Sequence, residues 1–122
     1  MDRPKLLVVD DDRDLLRGLS IRLKASGFEI LQAVDGVQAV AMVVKHKPDL
    51  VLLDLGLPAG DGYVVLNRLR SLPSSSTIPI IVLSARDPAT DRQKALDAGA
   101  AVYLHKPVDN DQLLSTIQTT LS

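Results

Sequence analysis

Residues 50–54 read Leu-Val-Leu-Leu-Asp, an unbroken apolar run that ends in one carboxylate. A run of this length without alternation suits a strand covered on both faces, as in parallel sheets flanked by helices. The carboxyl end of a central strand in such a sheet opens onto a crevice. The run therefore predicts that Asp54 stands at the functional edge of the fold.

Four further short apolar runs share this design. Leu6–Val9 ends in Asp10-Asp11-Asp12, Phe28–Leu31 stands alone, Ile80–Leu83 ends at Ser84, and Ala101–Leu104 leads into Lys106-Pro107. Helical spacing fills the intervals. Leu15, Leu16, Leu19 and Leu23 recur until Gly27, with Asp12 placed to cap that helix. Asp35-Gly36 opens a second helix, whose predicted buried face is Val37, Val40, Ala41 and Val44 before Pro48. Residues 57–62 form a loop with Asp61 as the predicted cap of a helix through Val65, Leu66 and Leu69, and Pro73 with Ser74–Ser76 marks a surface loop. Asp87-Pro88 starts a helix that runs to Gly99, and Asp109 starts a last one with Leu113, Leu114, Ile117 and Leu121 on one stripe. Five strands alternating with five helices predict a doubly wound parallel α/β sheet with right-handed crossovers. At 122 residues the expectation is one domain spanning 1–122, with no internal repeat and no linker.

Composition narrows the function. The 14 basic and 15 acidic residues leave a net charge of -1 and a pI near 6.0. No global field favours nucleic acid or an anionic membrane, so direct DNA binding by this chain is not expected. There is no cysteine, and His46 and His105 lie far apart, which argues against a disulfide framework or a thiolate metal site. The N-terminal apolar run is too short for a signal peptide or a membrane span, and a cytoplasmic chain is expected.

If strands one and three are neighbours, Asp10, Asp11 and Asp54 emerge at one edge and repel one another. A hard divalent cation resolves that repulsion, and magnesium prefers carboxylate, phosphate and water oxygens. Taken alone, Asp10–Asp12 fits a solvated turn and helix cap equally well. Ser84 and Lys106 would end strands four and five at the same edge; singly, they read as a turn residue and a solvated charge. Their weight comes from convergence, since the ends of strands one, three, four and five all bring a polar group to one place.

This constellation resembles the receiver domain of two-component response regulators, and the resemblance spans essentially the whole chain. It is carried by Val8-Val9-Asp10-Asp11, by residues 54–62 (Asp-Leu-Gly-Leu-Pro-Ala-Gly-Asp-Gly), by Leu83-Ser84-Ala85, and by Tyr103-Leu104-His105-Lys106-Pro107. Each is weak alone; the four in this order at these distances are specific. The resemblance implies a flavodoxin-like fold with strand order 2-1-3-4-5 and a cis Lys106-Pro107 bond. It implies that Asp54 is the phosphoacceptor, taking a phosphoryl group from a phosphohistidine on a sensor histidine kinase or phosphotransfer protein. Asp11, Asp54 and the Gly56 carbonyl would ligate Mg2+, with Asp10 shaping the same site partly through water. Lys106 and Ser84 would hold phosphoryl oxygens, so that the chain assists its own phosphorylation and hydrolysis. Ser84 and Tyr103 would form the switch: as Ser84 moves toward the phosphoryl group the Tyr103 ring turns inward, and the surface of the fourth helix, fifth strand and fifth helix changes for a downstream output domain or protein. The plainer reading of Tyr103 is a half-buried strand aromatic with its hydroxyl in water.

Departures from the family pattern refine these expectations. Leu57 and Gly60 replace the usual methionines, and Ser84 stands where threonine is commoner. Ala101-Val102 replaces a frequent acidic pair, and residues 110–122 contain no arginine or lysine. Both absences weigh against the salt-bridged dimer of the winged-helix DNA-binding subfamily and favour a monomer or weak dimer. A phosphatase of the haloacid dehalogenase type would need a second aspartate where Gly56 stands. In a flavodoxin-like cofactor carrier the first loop should bind phosphate, which three aspartates would repel.

Overall fold

The computed structural model describes residues 3–57 and 62–122. In chain order the elements are β1 (Lys5–Val9), α1 (Arg13–Ala25), β2 (Glu29–Ala33), α2 (Gly36–His46), β3 (Leu50–Asp54), α3 (Gly62–Ser71), β4 (Ile80–Ser84), α4 (Pro88–Asp97), β5 (Val102–His105) and α5 (Asn110–Leu121). The strands form one parallel sheet in the order β2-β1-β3-β4-β5. Among the described residues no helix is long and apolar enough to cross a membrane.

Strand geometry sends successive side chains to opposite faces, and the unbroken apolar runs thereby feed two cores at once. Leu7, Val9, Val51, Leu53, Ile80 and Val82 pack with Ala39 and Val43 of α2, Val65, Leu66 and Leu69 of α3, and Ala95 of α4. Leu6, Val8, Leu50, Leu52, Ile81 and Leu83 pack on the other face with Leu16, Leu19 and Leu23 of α1, and Leu113 and Ile117 of α5. β3 is buried along its whole length, as its composition predicts.

Aspartates begin four of the helices. Asp12, Asp35, Asp87 and Asp109 each accept backbone N–H bonds from the first turn of the helix that follows, satisfying donors that have no partner inside the helix. The predicted cap Asp61 lies outside the described residues. The Lys106-Pro107 bond is cis.

Two expectations need correction. The buried face of α2 is Gly36, Ala39 and Val43, whereas Val37 and Val44 are 74% and 49% exposed. Two stripes one residue apart both satisfy the helical period; the one with glycine and alanine faces the sheet because small side chains let the helix approach it, and Val40 lies partly buried on the boundary. The loop at Ser74–Ser76 is not wholly a surface feature either. Ser75 is buried, and its hydroxyl donates to the Leu69 carbonyl at 2.6 Å, closing the C-terminal end of α3.

Gly62 fixes the start of α3 against β3. A Cβ at this position would stand 2.4 Å from the Leu55 Cα and 2.8 Å from the carbonyl oxygens of Asp54 and Leu55, so the requirement is for close approach rather than unusual backbone angles. At Gly18, inside α1, a Cβ would meet nothing within 4 Å. Urea denaturation should therefore separate the two glycines: Gly62→Ala should lose ~1 to 3 kcal/mol through overpacking, and Gly18→Ala should gain ~0.5 to 1 kcal/mol from helix propensity.

Candidate functional site

The strand order places β1 and β3 side by side, with Val9 paired to Leu53, and β4 and β5 beyond them, with Ser84 paired to His105. The residues just past these pairs share one edge. Asp10 and Asp54 are buried, Asp11 is exposed, and one carboxylate oxygen from each of the three lies within 4.8 Å of the others. Lys106 reaches in from the end of β5. Its ammonium is 2.8 Å from Asp10 Oδ2 and 3.6 Å from Asp54 Oδ2.

The three first-loop aspartates have separate tasks. Asp12 caps α1. Asp10 accepts the Asp12 N–H on Oδ1 and Lys106 on Oδ2, so both its oxygens are engaged. Asp11 is the exposed member of the cluster, which is compatible with a bound cation reached from water.

Asp54 accepts the Gly56 N–H at 3.0 Å. Burial pushes its carboxyl above the ordinary value, the Gly56 N–H and Lys106 pull it down, and Asp10 and Asp11 add to the rise. The net direction is upward: removal from water outweighs the Gly56 N–H and the Lys106 ammonium together.

Ser84 is buried at the end of β4, and its Oγ accepts the Arg86 N–H at 3.0 Å. The Tyr103 hydroxyl donates to the Arg86 carbonyl at 2.9 Å. One residue therefore binds both members of the expected switch pair, Ser84 through its N–H and Tyr103 through its carbonyl. Tyr103 is 8% exposed. Its hydroxyl therefore has a protein acceptor, the Arg86 carbonyl, in this structure.

Two residues at this edge carry no signal in the sequence that singles them out. Arg86 has no motif of its own, and only its place two positions after Ser84 hints at a role. Tyr63 reads as one more apolar residue of α3, yet its hydroxyl reaches Asp91 of α4.

The folded chain holds the Asp54 proton more tightly than the unfolded chain does. Ionisation of Asp54 therefore costs folding stability once the pH rises through its folded pKa, and that cost vanishes below the unfolded value near 3.8. In buffer with a chelator, Asp54→Asn should be more stable than the native chain at neutral pH, and the difference should close in acid. Urea midpoints across the pH range check it; an advantage independent of pH would contradict the burial argument.

A family model described as the response regulator receiver domain matches residues 6–118. The chain is similar to the transcriptional regulatory protein PrrA of Mycobacterium tuberculosis, with 41% identity over 97% of this chain and 50% of that protein. It is also similar to the DNA-binding dual master transcriptional regulator RpaA of Synechocystis, with 38% identity over 97% of this chain and 49% of that protein. The chain thus spans about half the length of these relatives. Among solved structures, a response regulator from Chloroflexus aurantiacus superimposes with a TM-score of 0.93 at 32% identity, covering 98% of both chains. The receiver domain of a sensor histidine kinase from Pseudomonas aeruginosa, solved with a magnesium ion coordinated in its active-site cleft, has a TM-score of 0.90 at 29% identity over 98% of both chains. With its five parallel strands in the order 2-1-3-4-5 and its strand-end carboxylates, the chain belongs to the receiver domains of two-component response regulators.

Proposed function

We propose that residues 1–122 act as one phosphoacceptor receiver in which Asp54 takes a phosphoryl group from a phosphohistidine on a sensor histidine kinase or phosphotransfer protein. The observation that carries this reading is the convergence of Asp54, Asp10, Asp11 and Lys106 on one strand edge. An Asp54 carboxylate oxygen attacks phosphorus, the bond from phosphorus to the imidazole nitrogen breaks, and the imidazole leaves with the electron pair of that bond. Lys106, now held between Asp10 and Asp54, is within reach of a phosphoryl oxygen on Asp54. Ser84 Oγ accepts from Arg86, which leaves its own hydrogen to donate to another. These groups stabilise charge on the transferring phosphoryl oxygens, so the chain assists both its own phosphorylation and the later hydrolysis.

Asp11, Asp54 and the Gly56 carbonyl are the proposed ligands of Mg2+, with Asp10 as the supporting carboxylate. The donor set fits: all are hard oxygens, and among the described residues three carboxylates face a single ammonium. Both Asp10 oxygens are already in use, which suits a role partly through water. Bound there, the cation would supply charge neutralisation for the incoming phosphoryl group.

Readout follows from Arg86. A Ser84 hydroxyl drawn to a phosphoryl oxygen takes the Arg86 N–H with it, and the same peptide segment carries the acceptor of Tyr103. The surface of α4, β5 and α5 then changes for a downstream partner or output domain, the chain working in the cytoplasm without binding nucleic acid itself. RpaA is named as DNA-binding, but this chain matches only about half of it. α5 has no basic residue in its last turn, and its lack of lysine and arginine supports a monomer or weak dimer.

Acetyl phosphate with magnesium should add one phosphoryl group, seen by intact-mass spectrometry. Asp54→Asn or excess chelator should abolish it, and Lys106→Ala should slow it by about 100-fold. Undiminished labelling of Asp54→Asn would sink the assignment. Sedimentation with the phosphoryl mimic beryllofluoride should show no dimer of micromolar or tighter affinity.

A further inference from the structure

Helix α4 is the least buried of the five. Ala95 is its one buried residue, whereas α3 buries Gly62, Tyr63, Val65, Leu66 and Leu69. Helices in folded proteins are held chiefly by burial of an apolar face, so α4 needs another attachment. Tyr63, 7% exposed, supplies one. Its hydroxyl lies 3.2 Å from Asp91 Oδ1 and 3.4 Å from the Asp91 carbonyl oxygen. The Lys94 ammonium stands 4.3 Å from the centre of its ring and the Arg86 guanidinium 5.8 Å, both within the range of cation–π attraction. Burial, together with the Asp91 carboxylate, pushes the phenol up to about 12, which keeps it a hydrogen-bond donor through the neutral range.

The root of this side chain gives the contact its meaning. Gly62, the residue before it, rests on the backbone of Asp54 and Leu55 with no room for a methyl group, and donates its N–H to the Leu55 carbonyl at 3.1 Å. Arg86 Nη2 lies 3.5 Å from that same carbonyl. The peptide following Asp54 is thus joined without slack to the first turn of α3, and the next side chain joins that turn to α4.

We propose that Tyr63 is a positioning residue that carries the state of the Asp54 strand end to α4 through Asp91 and Lys94, by a route that meets the Ser84 and Tyr103 pair at Arg86. The coupling rests on Asp54 as phosphoacceptor; the attachment of α4 does not. A close-packed contact transmits a displacement because the atoms on either side have no free volume to absorb it. The Ser84 and Tyr103 route runs through the backbone of Arg86 in the loop between β4 and α4, whereas the Tyr63 route enters α4 at Asp91 and Lys94 and touches only the Arg86 side chain.

The test uses Tyr63→Phe, which keeps the ring and its cations but removes the hydroxyl, and Asp91→Ala, which removes the carboxylate acceptor from the α4 side. Amide hydrogen exchange is followed by NMR, with and without beryllofluoride and magnesium, and phosphoryl uptake from acetyl phosphate is measured in parallel. In the free chain, amides of residues 91–97 should exchange roughly fivefold faster in both variants, the equivalent of one net hydrogen bond, with β1 and β3 unchanged. On adding beryllofluoride, the shifts over residues 89–97 should shrink by about half in Tyr63→Phe, while those at Ser84 and Lys106 and the rate of phosphoryl uptake stay as in the native chain. Unchanged α4 exchange in both variants, a full-sized α4 response in Tyr63→Phe, or exchange that rises equally in the strands would overturn the proposal. A native chain that takes no phosphoryl group would overturn the coupling together with the phosphoacceptor reading, and the native control tells that failure from one at Tyr63.

Discussion

A carboxylate at the end of a fully buried strand is costly unless opposite charge and hydrogen bonds meet it, and Asp54 is in that position. Among the described residues its compensation is partial: one backbone N–H from Gly56 and one ammonium, 3.6 Å away, that lies closer to Asp10. Among the described residues, three carboxylates face one lysine, which leaves a negative surplus where Asp10 and Asp54 are buried and Asp11 is exposed. That surplus supports the proposed divalent cation and adds to the rise that burial imposes on the Asp54 carboxyl. The site is held in an electrostatically unfinished state, which incoming charge of the right sign and shape can complete.

The surplus exists because of chain order. Parallel strands need crossovers, and reversing their direction of winding after β2 puts β1 beside β3. Asp10 and Asp54, 44 residues apart by their numbering, meet only because of this choice. The same winding carries β4 and β5 out to the other side, so the hydroxyl of Ser84 and the lysine after β5 approach the carboxylates from across the crevice. Strand register then sets depth: Asp54 pairs with Leu83 and Ser84 with His105, so each polar group follows the last apolar layer of its strand.

Most of this is readable because the sequence repeats one physical device. Apolar runs without alternation mark strands buried on both faces, and aspartates at helix starts mark where strands give way. Asp12, Asp35, Asp87 and Asp109 all serve as caps for this reason. Sequence reasoning fails where the physics is degenerate or non-local. In α2 two stripes fit the helical period, and choosing Val37, Val40, Ala41 and Val44 over Gly36, Ala39 and Val43 rewards hydrophobicity where helix–sheet distance decides. Ser75 looks like loop filler because its acceptor, the Leu69 carbonyl, becomes available only when α3 ends. Arg86 and Tyr63 escape notice because their partners, the Leu55 carbonyl and Asp91, lie 31 and 28 residues away and share no motif with them.

Burial is distributed unevenly, and the unevenness separates stability from response. The cores on the two faces are filled by β1, β3 and β4 with α1, α2, α3 and α5, where each large buried side chain contributes on the order of 2 kcal/mol. α4 adds Ala95 and little else from its own length to either core. Moving it forfeits the burial of Ala95 and the polar and cation–π contacts at Tyr63 but little other apolar burial from its own length, so its displacement costs less than disturbing a strand. Elements drawn from the low-stability end of a fold are the ones that can change position while the rest stays folded. A rigid sheet edge that gathers charge and a lightly seated helix joined to it through Gly62 and Tyr63 are complementary demands on one small domain, and this chain meets them by placing its large apolar residues on the sheet and leaving α4 almost none.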